Sequence, residues 1–171
     1  MKKPVSIKKH VIKYGLILGI LITTKIIFMT YTTFPIRFIL GLSELFFLGS
    51  TIFYGIYKYK RSTHGILTLK QVLYITLGIS FIGGLFTVLW FALKYNIIEP
   101  DYLNRAVERE KERLLQENFD ITYEEVEQLT KHTYLYASSY AQAGIYIFQN
   151  LIFGPIFGLI AYVFLYKRQK L

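Results

Sequence analysis

The sequence predicts an all-α integral membrane protein: four transmembrane helices in an up-down-up-down bundle, with a helical extracytoplasmic segment between spans three and four. Three observations carry that expectation. Apolar residues fill 53% of 171 positions and charged residues only 18%, below the ~25% of soluble domains. The apolar residues gather into four stretches, each at least 20 residues long. A helix needs about 20 to cross a ~30 Å hydrocarbon core. No stretch shows the alternation of a strand, and in lipid that leaves the helix as the way to satisfy the backbone. A disordered chain does not fit this composition, and neither does an ordinary water-soluble domain.

The spans are expected at about 11–31, 36–57, 71–96 and 141–166, within a single integral membrane domain of residues 1–171. The first stretch contains Lys25. Its basic start resembles a signal peptide, but no small-x-small site follows and the apolar run continues to Tyr31. It is therefore read as a retained span. The second stretch carries Arg37 and Glu44 near its start. The third holds no charge until Lys94, and the fourth holds none.

Orientation follows from the placement of Lys and Arg. The N-terminal region carries Lys2, Lys3, Lys8, Lys9 and Lys13. The 58–70 connection carries Lys58, Lys60, Arg61 and Lys70, and the C-terminal tail carries Lys167, Arg168 and Lys170. None of these segments contains an acidic residue. Only Arg37 flanks the short 32–35 turn, and acidic residues outnumber basic ones in the 98–140 segment. Both termini and the 58–70 loop are thus expected in the cytoplasm. The net charge of +9 becomes a membrane-orienting signal and an attraction to anionic lipid. Nucleic-acid binding would need a basic face on a soluble domain, and none is expected.

Segment 98–140 is the one polar module. Glu99-Pro100-Asp101 ends the third span and offers Asp101 as an N-cap. A charged helix to about Glu117 follows, with opposite charges three apart at Arg105–Glu108, Glu108–Lys111 and Glu110–Arg113, and an apolar stripe of Leu103, Val107 and Leu114. Asn118-Phe119-Asp120 breaks it. Thr122-x-x-Glu125 is a capping box that starts a second helix, which can run straight into the fourth span. Tyr134, Tyr136 and Tyr140 fit an interfacial belt.

Catalytic signals are weak. There is no cysteine. His10, His64 and His132 lie in separate polar segments without metal-ligand spacing, so no metal or cofactor is expected. No nucleophile elbow, P-loop or dinucleotide fingerprint occurs. The carboxylates of the polar segment are interleaved with bases, and no acid pair stands out. The chain is not expected to be an enzyme.

Small residues recur at helix-packing spacing: Gly15 and Gly19 in span one, Ser80 and Gly84 in span three, Gly154 and Gly158 in span four. Such pairs let backbones approach closely, within one bundle or between two copies. Pro155 is expected to kink span four by deleting a backbone hydrogen bond. Gln149 and Asn150, just before it, could join helices or serve freed backbone groups. The 32–35 turn is centred between Phe34 and Pro35, and Lys25 and Glu44 stand equally far from that centre. At ~1.5 Å per residue both lie ~14 Å from the turn, at one depth in the core. An unpaired charge there costs at least ~2.5 kcal/mol, so the two are expected to pair.

The chain resembles the four-span membrane family catalogued as domain of unknown function 4199. The likeness covers nearly its whole length. It starts at Lys13-Tyr14-Gly15-Leu16 and is clearest at Ser43-Glu44-Leu45 and at Tyr54-Gly55-Ile56-Tyr57-Lys58-Tyr59-Lys60-Arg61. Gly65-Ile66-Leu67-Thr68 and Pro100-Asp101-Tyr102 continue it. Leu69 and Lys70 depart from a typical aromatic and a small residue, and Thr76 from a typical glycine. That departure bears on close packing at the start of span three. The resemblance implies a bacterial inner-membrane protein with no established activity. Members of the family are often encoded near polyprenyl-phosphate glycosyltransferases, so the resemblance also implies an accessory role in envelope glycan or lipid-linked sugar assembly. The expected function is a non-enzymatic scaffolding subunit, with the bilayer and a membrane-protein partner or a second copy as its partners. The alternative is a small oligomeric transporter or ion-linked carrier using Lys25 and Glu44.

Overall fold

The computed structural model describes residues 6–32, 36–63, 67–117 and 121–167. The turn around Pro35, His64, the 118–120 break and the outermost basic residues of both tails lie outside them. Among the described residues every regular element is helical. The helices are α1 (Ile7–Tyr31), α2 (Ile36–Ser62), α3 (Leu69–Leu93), α4 (Tyr102–Glu117), α5 (Tyr123–Ala137) and α6 (Ser139–Lys167), with a π-helical turn at Lys94–Ile98. Four segments are long and apolar enough to cross a membrane: Ile7–Thr30, Ile39–Ser62, Leu69–Ile98 and Tyr140–Tyr166.

Two boundaries differ from the sequence reading. The first helix begins at Ile7, one turn before the expected start, so Lys8, Lys9 and His10 are helical. Their backbone bonds close within the helix whatever the polarity of the side chains. The fourth spanning helix is not a continuation of α5. Ser138 interrupts with an extended backbone (ψ 144°). Its Oγ donates to Leu135 O at 2.7 Å and accepts from Ala141 N at 3.2 Å. One serine thus ends α5 and caps α6, the local bonding for which serine is favoured at helix starts.

The chain divides into two compact units, residues 1–87 with 146–171, and residues 88–145. In the first unit the helix directions follow from the contacts of small residues. A Cβ on Gly15 would lie 2.6 Å from Ile82 Cβ, and one on Gly19 would lie 2.6 Å from Phe86 Cγ. Both numbers rise together, so α1 and α3 run parallel. Gly154 meets Ser80 and Gly158 meets Thr76 in descending order, so α3 and α6 are antiparallel. His10 Nε2 donates to Gly55 O at 2.7 Å, and Lys25 bonds Glu44, so α1 and α2 are antiparallel too. Successive spanning helices therefore alternate in direction. The core contains Leu18 and Ile22 of α1, Leu48, Ile52 and Ile56 of α2, and Val72, Ile75 and Ile79 of α3.

In the second unit α4 packs on α5. Val126 and Thr130 of α5 are buried, while Leu103, Val107 and Leu114 of α4 are half-buried. The capping box at Thr122 is complete. Thr122 Oγ1 accepts from Glu125 N, and Glu125 Oε2 accepts from Thr122 N at 2.9 Å. That backbone N–H, with the Thr122 hydroxyl, holds the Glu125 carboxyl below its ordinary range. On α4, Lys111 pairs with Glu108 and Arg113 with Glu110 at the expected spacing. Arg105 differs: it reaches back to Glu99 at 3.6 Å instead of forward to Glu108.

Candidate functional site

The buried face of α2 runs through Glu44, Leu48, Ile52, Ile56 and Tyr59 at helical spacing. That of α1 runs through Leu18, Ile22, Lys25 and Ile26. Lys25 and Glu44 therefore occupy core positions in otherwise apolar stripes. Lys25 Nζ donates to Glu44 Oε2, and both side chains are almost fully enclosed, at 2% and 6% exposure. The ammonium also lies 5.7 Å from the centre of the Tyr146 ring on α6. Charge pairing and the negative face of an aromatic ring both favour a cation here. Glu44 Oε1 has no hydrogen-bond partner among the described residues.

Asn150 stands one helical turn beyond Tyr146 and is fully buried. Neither Nδ2 nor Oδ1 has a hydrogen-bond partner among the described residues. Among the described residues this amide thus neither joins helices nor serves a freed backbone group, and the neighbouring Gln149 is half-buried. Helix α6 continues through Pro155 without a break in its assignment. Ser80 Oγ and Thr87 Oγ1 on α3 are likewise buried and have no hydrogen-bond partner among the described residues. Uncompensated polar groups cost several kcal/mol in hydrocarbon, so these are the atoms from which a polar ligand would gain most.

The small residues form the walls. Gly84 abuts Ile147 on α6, where a Cβ would stand 3.1 Å from Ile147 Cγ1. Gly154 and Gly158 take Ser80 and Thr76 into the α3–α6 contact. Thr76 is fully buried. The space it needs comes from Gly158 on the facing helix. Two further glycines that carried no motif do similar work: Gly78 receives Val11, and Gly83 receives Leu18.

Two polar clusters were not singled out by sequence. His10 is buried between Tyr14 and Tyr59, with ring centres 4.6 and 5.4 Å away. It satisfies a helix carbonyl instead of lying in a polar tail. Lys94, in the second unit, is buried at the π-helical turn. Its Nζ lies 5.4 Å from the Tyr95 ring centre and 5.2 Å from that of Tyr102. The Tyr95 hydroxyl donates to Gln142 Oε1 at 2.8 Å. The available signal was a lysine at the end of a span followed by Tyr95 and Tyr102.

Four helices long and apolar enough to span a bilayer, with a buried lysine–glutamate pair between the first two, define a small polytopic membrane protein. The chain belongs to the family described as Protein of unknown function (DUF4199), whose model matches residues 13–167. Neither the curated proteins nor the solved structures compared with it give a match.

Proposed function

We propose that this protein is a non-enzymatic accessory subunit of the bacterial cytoplasmic membrane, with both termini cytoplasmic, that holds a membrane-protein partner through the surface where α5 meets the start of α6. The observation that supports this is the run Tyr134, Leu135, Tyr136 and Tyr140. These side chains are between 55% and 86% exposed in the most polar part of the chain. Large aromatic groups without intramolecular cover are the usual anchors of protein interfaces. An envelope-glycan or lipid-linked sugar system is the setting the family resemblance suggests.

Purification in mild detergent after gentle crosslinking should recover a second membrane protein at a fixed ratio. Tyr134→Ala/Tyr136→Ala should release it while the helical content stays the same. Recovery of the chain alone would overturn the reading. Orientation has its own test. A cysteine at position 110 should react with an impermeant thiol reagent outside intact spheroplasts, and one at position 62 should not. The reverse pattern would invert the assignment.

The second reading, an ion-linked carrier, is favoured by one specific observation. Glu44 Oε1 and the Asn150 amide are buried polar groups without partners among the described residues. Carboxylate and amide oxygens are ligands for a small cation. Four spans are few for a path, so this reading needs a second copy.

A further inference from the structure

The first unit carries a second feature that the accessory role does not use. A cleft of about 370 Å³ lies between α2 and α6, lined by Phe53, Tyr54, Tyr57, Phe164 and Leu165. Its volume falls at the lower end of the ~300–1,000 Å³ range of ligand sites. Its lining is aromatic and aliphatic, and Phe53, Tyr54 and Phe164 are exposed. One helical turn further along α2 stand two cations. Lys58 Nζ lies 5.3 Å from the Tyr54 ring centre, and Arg61 Cζ lies 5.8 Å from that of Tyr57. The cleft is thus apolar along its length and cationic at one end.

Charge bookkeeping within the unit decides what those cations face. Residues 1–87 and 146–171 contain fourteen Lys and Arg but a single acidic side chain, Glu44. Lys25 already holds that carboxylate. Lys60, between the two cations in sequence, donates to Leu165 O at 2.7 Å and serves the carbonyl end of α6. Among the described residues Lys58 and Arg61 therefore have no acidic side chain of their own unit as counter-ion. The matching anion has to come from outside it, and the apolar lining calls for a ligand with a hydrocarbon portion.

We propose that the α2–α6 cleft binds an anionic phospholipid, with the phosphate held by Lys58 and Arg61 and the first part of an acyl chain along Phe53, Tyr57 and Phe164. Basic pockets between transmembrane helices select anionic headgroups by this combination of charge and apolar contact. Inorganic phosphate shares the headgroup chemistry but leaves the apolar lining unused.

The test is native mass spectrometry of the full chain in a neutral detergent. It is titrated with phosphatidylglycerol or with phosphatidylcholine of the same acyl chains. Phosphatidylglycerol should be retained about thirtyfold better, as two basic contacts at ~1 kcal/mol each imply. Lys58→Gln/Arg61→Gln should reduce that preference to near unity. The charge-matched Lys9→Gln/Lys70→Gln should preserve it. The single Arg61→Gln, at an exposed position, should move the preference the same way if the double variant folds poorly. Millimolar inorganic phosphate should leave the lipid adduct in place. Equal retention of the two lipids, equal loss in both double variants, or complete displacement by phosphate would each overturn the proposal.

Discussion

Lys25→Met and Glu44→Gln should each destabilise the protein by about 3 kcal/mol, and the double variant should recover most of that loss. Removing one partner of a buried pair leaves an uncompensated charge, at a cost of about 3–5 kcal/mol. Replacing both leaves neutral groups of similar volume, often nearly neutral in effect. The surroundings argue for the full effect: both side chains are enclosed, and the Tyr146 ring beside Lys25 cannot replace a lost counter-charge. For a chain of this size ~3 kcal/mol corresponds to a melting shift of about 6–12 °C. Thermal unfolding of the four proteins in detergent closes the cycle. Strictly additive losses would show that the contact carries no coupling. Reconstituted in liposomes, Glu44→Gln also separates the two functional readings. An accessory subunit shows no flux that depends on Glu44, whereas an ion-linked carrier loses its flux.

Gly154→Leu should be at least as damaging, and Gly144→Leu should be harmless. A Cβ at Gly154 would overlap Ser80 Oγ and stand 3.0 Å from Ser80 Cβ. A leucine there forces α6 away from α3, at the ~1–3 kcal/mol or more of an overpacked interior. Loss of the neighbouring Gly158–Thr76 contact adds to this. At Gly144 an added Cβ meets nothing within 4 Å. The leucine gains up to ~1 kcal/mol of helix propensity over glycine. Melting temperature and the monodisperse fraction on size exclusion measure both variants. Comparable stability for the two would mean that the α3–α6 contact does not hold the bundle together.

Much of the fold could be read from sequence because hydrocarbon thickness and backbone bonding leave little choice. Four long apolar runs must be helices, and a short turn makes neighbours antiparallel. The contact of Lys25 with Glu44 follows from the same arithmetic, since equal distances from a turn fix equal depth. What sequence did not show depends on local bonding that hydropathy does not record. His10 looks like part of a basic tail until Gly55 O is seen within its reach. The π-helical turn at Lys94 changes the phase of side chains without any change in composition. Ser138 is one serine of two, and only its bonds to Leu135 and Ala141 make it a boundary. Asn150 was found by type, but its lack of a bonding partner depends on where α6 is placed by Gly154 and Gly158.

The spacing of the ion pair bears on how the chain enters a membrane. Lys25 and Glu44 are only 19 residues apart. The partners of Gly15 and Gly19, by contrast, are Ile82 and Phe86 on the third spanning helix. During synthesis the two charges are therefore made together, before α3 exists. The first two helices can pass from the insertion machinery into lipid as one electrically compensated hairpin, with neither charge waiting for a later segment. The glycine notches of α1 stay open until α3 arrives. The order of synthesis thus matches the order of need: charge is neutralised first, and close packing follows.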